Sequence, residues 1–175
     1  MSPSPLGGWE NFYVITGSCA GSLIGLTFVV IALLSETQKV RLHGLKAFVT
    51  PTIVHFAAVL LLSAYLSMPH QTLWSLSIGL ALGGLAGLGY GGMTWFHMAR
   101  HMAEYTPVRE DWAWHVIAPM LAYAGWLACA VLVQTRPAAA LLALGVIALS
   151  LLLVGIHNAW DIAVFVTMTR RKDAS

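Results

Sequence analysis

Charged residues are scarce in this sequence. Only 9% of the 175 residues are Asp, Glu, Lys or Arg, whereas 58% are hydrophobic. Soluble domains contain about 25% charged residues, and a much lower share cannot cover a water-facing surface. The composition therefore excludes a soluble globular domain and predicts an integral membrane protein. The net charge of +2 also gives no signature of nucleic-acid binding.

Cysteine is rare as well, and the motifs of common enzymes are missing. Cys19 and Cys129 lie in separate apolar segments and form no CxxC pair, which favours two packing residues over a redox pair or a disulfide. The sequence has no HExxH zinc motif and no phosphate-binding glycine loop. We therefore predict no catalytic residue and favour a protein without enzymatic activity.

The N-terminal segment lacks the basic residues of a secretory signal peptide. Residues 1–10 read MSPSPLGGWE, and Glu10 directly precedes the first apolar run. We therefore expect this run to remain in the mature protein as a membrane span.

Five apolar runs have the length of membrane-spanning helices, which need about 20 apolar residues to cross the hydrocarbon core. The predicted spans are residues 11–35, 47–68, 73–98, 113–133 and 138–169. Only PHQT (69–72) separates the second span from the third, and only QTRP (134–137) separates the fourth from the fifth. Each of these pairs is expected to form an antiparallel helical hairpin. The predicted fold is an all-α membrane protein, a single domain of five transmembrane helices.

Lysine and arginine are distributed unequally between the segments that connect these spans. With five spans, eight of the nine Lys and Arg residues fall on one side, and only Arg136 falls on the other. Positively charged loops mark the cytoplasmic side of a membrane protein. The N-terminus is therefore predicted outside and the C-terminus in the cytoplasm, with the protein in the plasma (cytoplasmic) membrane. The basic sequence RRK at 170–172 is expected to attract anionic lipid.

Glycines recur at four-residue spacing in the first and third spans. This spacing places small residues on one helix face, where two helix backbones can approach closely. The two ridges consist of Gly17, Gly21 and Gly25 in the first span and of Gly79, Gly83, Gly87 and Gly91 in the third. Two interpretations remain open. In the first, the ridges pack the helices of one bundle. In the second, they line a pore or form a glycine zipper with another subunit, either in a symmetric homo-oligomer or in a complex with a membrane-protein partner.

A proline interrupts the fourth predicted span. Pro119 has no backbone N–H and so frees the carbonyl of His115, four residues earlier. A kink is therefore predicted at this point in the helix.

Polar side chains concentrate in the predicted cytoplasmic third of the bundle. His55 lies about two turns into the second span, and His157, Asn158 and Asp161 lie together in VGIHNAWDIAV (154–164). Polar groups at such depth normally face protein or water. His157 and Asp161 are four residues apart and share a helix face. We expect either that Asp161 orients the His157 ring toward a hydrogen bond with His55, or that Asp161 pairs with an interfacial arginine.

Three functions fit this arrangement. The first is an oligomeric channel or small transporter, whose polar layer would be formed by His55, His157, Asn158 and Asp161. The second is a non-catalytic accessory or assembly subunit of a membrane complex.

The third function is a membrane subunit that binds haem b or a metal ion through histidines. Candidate ligands are His55, His97, His101, His115 and His157. His55 with His157, or His97 with His115, would form the axial pair of a haem. The sequence favours the first two functions, and we expect no cofactor.

Overall fold

Long α-helices account for nearly all of the chain that the structure describes. The computed structural model describes residues 6–37, 42–100 and 112–173, and it describes side chains for 6–32, 50–100, 112–161 and 163–164. The helices are α1 (Glu10–Thr37), α2 (Leu42–Leu66), α3 (Leu73–Arg100), α4 (Ala118–Thr135) and α5 (Pro137–Asp173). A π-helical segment, Ala113–Ile117, leads directly into α4. Since the described ranges contain no β-strand, the predicted all-α class is confirmed.

Four of the described helical stretches are long and apolar enough to cross a membrane. They are Glu10–Ala32, Leu73–Arg100, Ala113–Thr135 and Pro137–Asp161. In α2, the apolar stretch Thr50–Leu66 is shorter than these four. The architecture is therefore that of a membrane-type helical bundle, and the fifth span remains a prediction.

The helices pack in the spatial order α1, α2, α5, α4, α3, which differs from their order along the chain. Consecutive helices run in opposite directions. For example, Gly83 of α3 lies against Trp126 of α4, whereas Gly91 lies against Met120. The hairpin of α4 and α5 is closely packed, but α2 packs more extensively against α5 than against α3. Thus α2, α5 and α4 form the middle of the bundle.

Polar side chains near the N-terminal end of α1 are paired with one another. The Tyr13 hydroxyl donates to the backbone carbonyl of Leu141 in α5 at 3.2 Å. The hydroxyls of Thr16 and Ser63 lie 3.1 Å apart and connect α1 to α2. Because all three side chains are buried, these bonds satisfy groups that water cannot reach.

The glycine ridge of α3 packs inside the bundle. Gly87 lies against the ring of Tyr123, and a Cβ at Gly84 would lie 2.8 Å from backbone atoms of Leu127. The other ridge positions also meet side chains of the same chain: Gly79 meets Tyr65, Gly83 meets Trp126, and Gly91 meets Met120. The α3 ridge is therefore occupied within one chain.

The glycine ridge of α1 is only partly covered. A Cβ at Gly17 would lie 2.9 Å from the Ser63 Cβ, so α2 packs closely at this point. At Gly21 and Gly25, no described atom lies within 4 Å of such a Cβ. The N-terminal half of α1 is thus packed on α2, whereas no described side chain lies against the glycines farther along.

The π-helical segment before α4 has a local cause. Pro119 cannot donate a backbone hydrogen bond to the carbonyl of His115. The N–H of Ala118 instead donates to the carbonyl of Ala113, five residues earlier, and closes a wider turn. The structure therefore places a π-helical turn where the sequence predicts a kink.

We expect Gly84→Ala to lower the thermal stability of the detergent-purified protein. The added methyl group would overlap the backbone of Leu127, and overpacking of this kind costs about 1–3 kcal/mol. Gly89→Ala in the same helix is the matched control, since nothing lies within 4 Å of its Cβ position. Equal unfolding temperatures for the two variants, measured by light scattering during heating, would contradict the packing of α3 on α4.

Candidate functional site

The imidazole of His55 is enclosed between three helices. It belongs to α2 and is only 2% exposed. Its Nδ1 lies 3.0 Å from the hydroxyl of Tyr123 in α4, within hydrogen-bond distance. The ring of Tyr90 in α3 stands edge-on to the imidazole, with the ring centroids 6.5 Å apart. His55 therefore links α2 to α4 through a buried hydrogen bond and contacts α3 through an aromatic ring.

Three buried side chains carry polar atoms without partners among the described residues, and one of them is Trp126, whose Nε1 is unpaired. Nε2 of His55 has no hydrogen-bond partner among the described residues. Asn158 of α5 is 1% exposed, and neither its amide nitrogen nor its amide oxygen is paired within the described chain. Leaving one buried polar group unsatisfied costs about 1–3 kcal/mol. His55 and Asn158 together account for three such atoms.

The levels of His55 and Asn158 in the bundle follow from a helix contact between their neighbours. The ring of Phe56 in α2 packs on Gly155 of α5. Because α2 and α5 run antiparallel, His55 and Asn158 both lie on the same side of this contact, by about 1.5 Å and about 4.5 Å along the two axes. Side chains of a helix lean toward its N-terminus, so these two lean toward the same level of the bundle. We call His55, Tyr123 and Asn158 the polar cluster.

His157 and Asp161 lie on another face of α5. The His157 ring stacks on Trp114 of the π-helical segment, with the ring centroids 4.1 Å apart. Its Nε2 lies 3.3 Å from a carboxylate oxygen of Asp161. The two side chains are 35% and 51% exposed, so this pair lies at the edge of the bundle.

The structure does not bring His157 to His55, in contrast to the hydrogen bond expected from the sequence. The Nδ1 of His55 is bonded to Tyr123, and its Nε2 has no partner in the described residues. The reason is helical geometry: His157 and Asn158 are consecutive and point about 100° apart, so only one can face the interior. Asn158 takes that position.

The remaining histidines are placed differently from one another. His97 is exposed, and its Nδ1 lies 3.0 Å from the carbonyl of Met93 in its own helix. His115 is buried in the π-helical segment, close enough to His55 for an electrostatic interaction. His101 lies outside the described residues. Within the described part of the chain, no group of three His, Cys, Asp or Glu side chains could hold a metal ion.

The haem interpretation needs two histidines that face each other across an open space. The rings of His55 and His157 instead have other neighbours, Tyr123 and Trp114 respectively. The first proposed axial pair is therefore not assembled in this structure.

Sequence reasoning missed the aromatic partners of the histidines. Tyr123 and Trp114 lie in an apolar run and look like ordinary packing residues. A tyrosine hydroxyl in the interior of a span has to find a partner, however, and this rule identifies Tyr123 as a polar position. Nothing comparable identifies Trp114, because its contact with His157 depends on the π-helical turn.

Comparisons with family models, with curated proteins and with solved structures give no match for this chain. The function is therefore inferred from the chemistry and the position of the polar cluster alone.

We expect Tyr123→Phe to destabilise the protein by about 1–3 kcal/mol, because it leaves both ring nitrogens of the buried His55 unpaired. The double variant His55→Phe/Tyr123→Phe removes both ends of the bond. Its loss of stability should be smaller than the sum of the two single losses. Additive losses in this double-mutant cycle, measured by thermal unfolding, would contradict the hydrogen bond.

Proposed function

We propose that this chain is a subunit of a channel or small transporter, and that the polar cluster forms part of the route of its solute. The observation that carries the proposal is the set of three unpaired polar atoms on His55 and Asn158 inside an apolar bundle. Polar groups are costly within a membrane and are retained mainly where function needs them. A leucine at position 158 would have the same branched skeleton of four side-chain heavy atoms without that cost.

The proposal includes five spans, with the N-terminus outside and the C-terminus in the cytoplasm of a plasma membrane. The complete α2 has 25 residues, Leu42–Leu66, which is enough to cross the hydrocarbon core. The placement of eight of nine basic residues on one side also favours this topology. In this orientation, His157 and Asp161 lie at the cytoplasmic end of the route, and the basic C-terminal segment faces anionic lipid.

A second candidate function is an accessory or assembly subunit of a membrane complex. The observation in its favour is the open space at Gly21 and Gly25 of α1, where no described atom lies within 4 Å of an added Cβ. Small residues at such positions permit close approach of another helix. In the channel or transporter proposal, the same positions serve a homo-oligomer.

The main test is transport by the purified protein in liposomes. We expect at least one small solute among water, urea, K⁺ and H⁺ to cross faster than in protein-free liposomes. Asn158→Leu should lower that rate by about tenfold, the effect of losing about 1.4 kcal/mol of binding to the solute. Ser150→Ala is the matched control, because Ser150 is a half-buried residue of α5 whose described hydrogen bond goes to the Val146 carbonyl of its own helix.

The outcomes separate the two candidate functions. Rates equal to those of protein-free liposomes for every solute would contradict transport. A monomeric mass in detergent, together with no transport, would favour the accessory subunit. Transport that Asn158→Leu leaves unchanged would remove the polar cluster from the route.

The topology can be tested with single cysteines. In a Cys19→Ala/Cys129→Ala background, we expect Ser2→Cys to react with a membrane-impermeant maleimide on intact cells. Ser175→Cys should react only after the cells are lysed, because five spans place the two ends on opposite sides. Labelling of both positions on intact cells, or of neither, would contradict an odd number of spans.

A further inference from the structure

We propose that the polar cluster binds a small neutral molecule that both accepts and donates hydrogen bonds, and that it does not bind an ion. This inference rests on the proposed transport function and specifies the class of solute. Water is the smallest member of this class, and urea is a larger one.

The cluster offers both hydrogen-bond donors and a hydrogen-bond acceptor. When the Tyr123 hydroxyl donates to Nδ1 of His55, the Nε2 carries the proton and is a donor without a partner. The Asn158 amide offers two further N–H donors and one acceptor oxygen. A ligand that satisfies both side chains therefore needs an acceptor for the N–H groups and a donor for the amide oxygen.

The described charged side chains lie away from the cluster, at the surface of the bundle. All charged side chains that the structure describes are exposed; they are Glu10, Arg100, Arg136 and Asp161. Asp161 is the one nearest in sequence to the cluster, and it pairs with His157 at the edge of the bundle. An ion taken from water into an apolar interior needs a counter-charge or many polar ligands. None of these four charged side chains is buried beside the cluster, whereas a neutral molecule needs hydrogen bonds alone.

Aromatic rings limit the space around His55. Aromatic rings of Tyr90 and Tyr123 stand within 6.5 Å of the imidazole, measured between ring centroids. On the side of α5, the ring of Phe56 packs directly on Gly155. Rings this close restrict the ligand to a molecule of a few non-hydrogen atoms.

The test of binding uses the full-length protein in lipid bilayers, with ¹⁵N-labelled histidine and magnetisation transfer from water in solid-state NMR. The probe is water itself. We expect transfer from water to the His55 ring, identified as the signal that His55→Phe removes. Asn158→Leu should remove the transfer and leave the His55 signal in place, whereas Ser150→Ala should leave both unchanged. A His55 ring that receives no transfer in the unmodified protein overturns the proposal.

The liposome assay separates this inference from the proposed function. Permeation by water or urea but not by K⁺ or H⁺, with loss in Asn158→Leu, supports both. Permeation by an ion alone, with the same loss, supports the transport function and overturns the neutral ligand. Water at His55 without permeation by any solute supports the binding site and overturns the transport function. If His55→Phe does not fold, Asn158→Leu and Tyr123→Phe still distinguish these outcomes.

Discussion

The contact between Gly87 and Tyr123 fixes the position of Tyr123, the hydrogen-bond partner of His55 in the polar cluster. Because Gly87 has no side chain, the Tyr123 ring lies directly on the backbone of α3. In this position, its hydroxyl reaches the His55 Nδ1 on α2. One close approach of two helices therefore sets the separation of α3 and α4 and also orients the buried imidazole. A larger residue at position 87 would displace the ring and with it the only described hydrogen-bond partner of His55.

Buried polar groups are paired at one end of the bundle, and some are unpaired elsewhere in it. Near the N-terminal end of α1, Tyr13, Thr16 and Ser63 are all paired, and they join α1 to its neighbours. Such fully satisfied bonds stabilise a membrane bundle at low cost. His55, Asn158 and Trp126 keep polar atoms unpaired at similar burial. The proposed site therefore lies away from the polar contacts that join α1 to its neighbours.

The sequence predicts the helices well and their arrangement poorly. The spans predicted at 11–35 and 73–98 agree closely with α1 (Glu10–Thr37) and α3 (Leu73–Arg100), since apolar length and Pro69 determine where helices begin and end. The spatial order could not be predicted, because these helices are apolar on all sides and show no inward face.

The same limit applies to the candidate site. His55 and Asn158 stand out as polar residues in apolar runs, and both are buried in the structure. Which of His157 and Asn158 faces inward depends on a rotation of about 100° that an apolar helix does not reveal. Tyr123 and Trp114 acquire their roles through contacts between distant segments, so local patterns could not assign them.

The π-helical turn at Ala113–Ile117 also changes the angular phase of the helix that contains it. A wide turn holds about one residue more than an α-helical turn, and this surplus residue changes the direction of the side chains at the start of the turn. Trp112, at the N-terminal end of the turn, lies against Trp95 of α3, and Trp114, inside the turn, stacks on His157 of α5. The segment that leads into α4 therefore contacts both neighbours of α4 through aromatic rings.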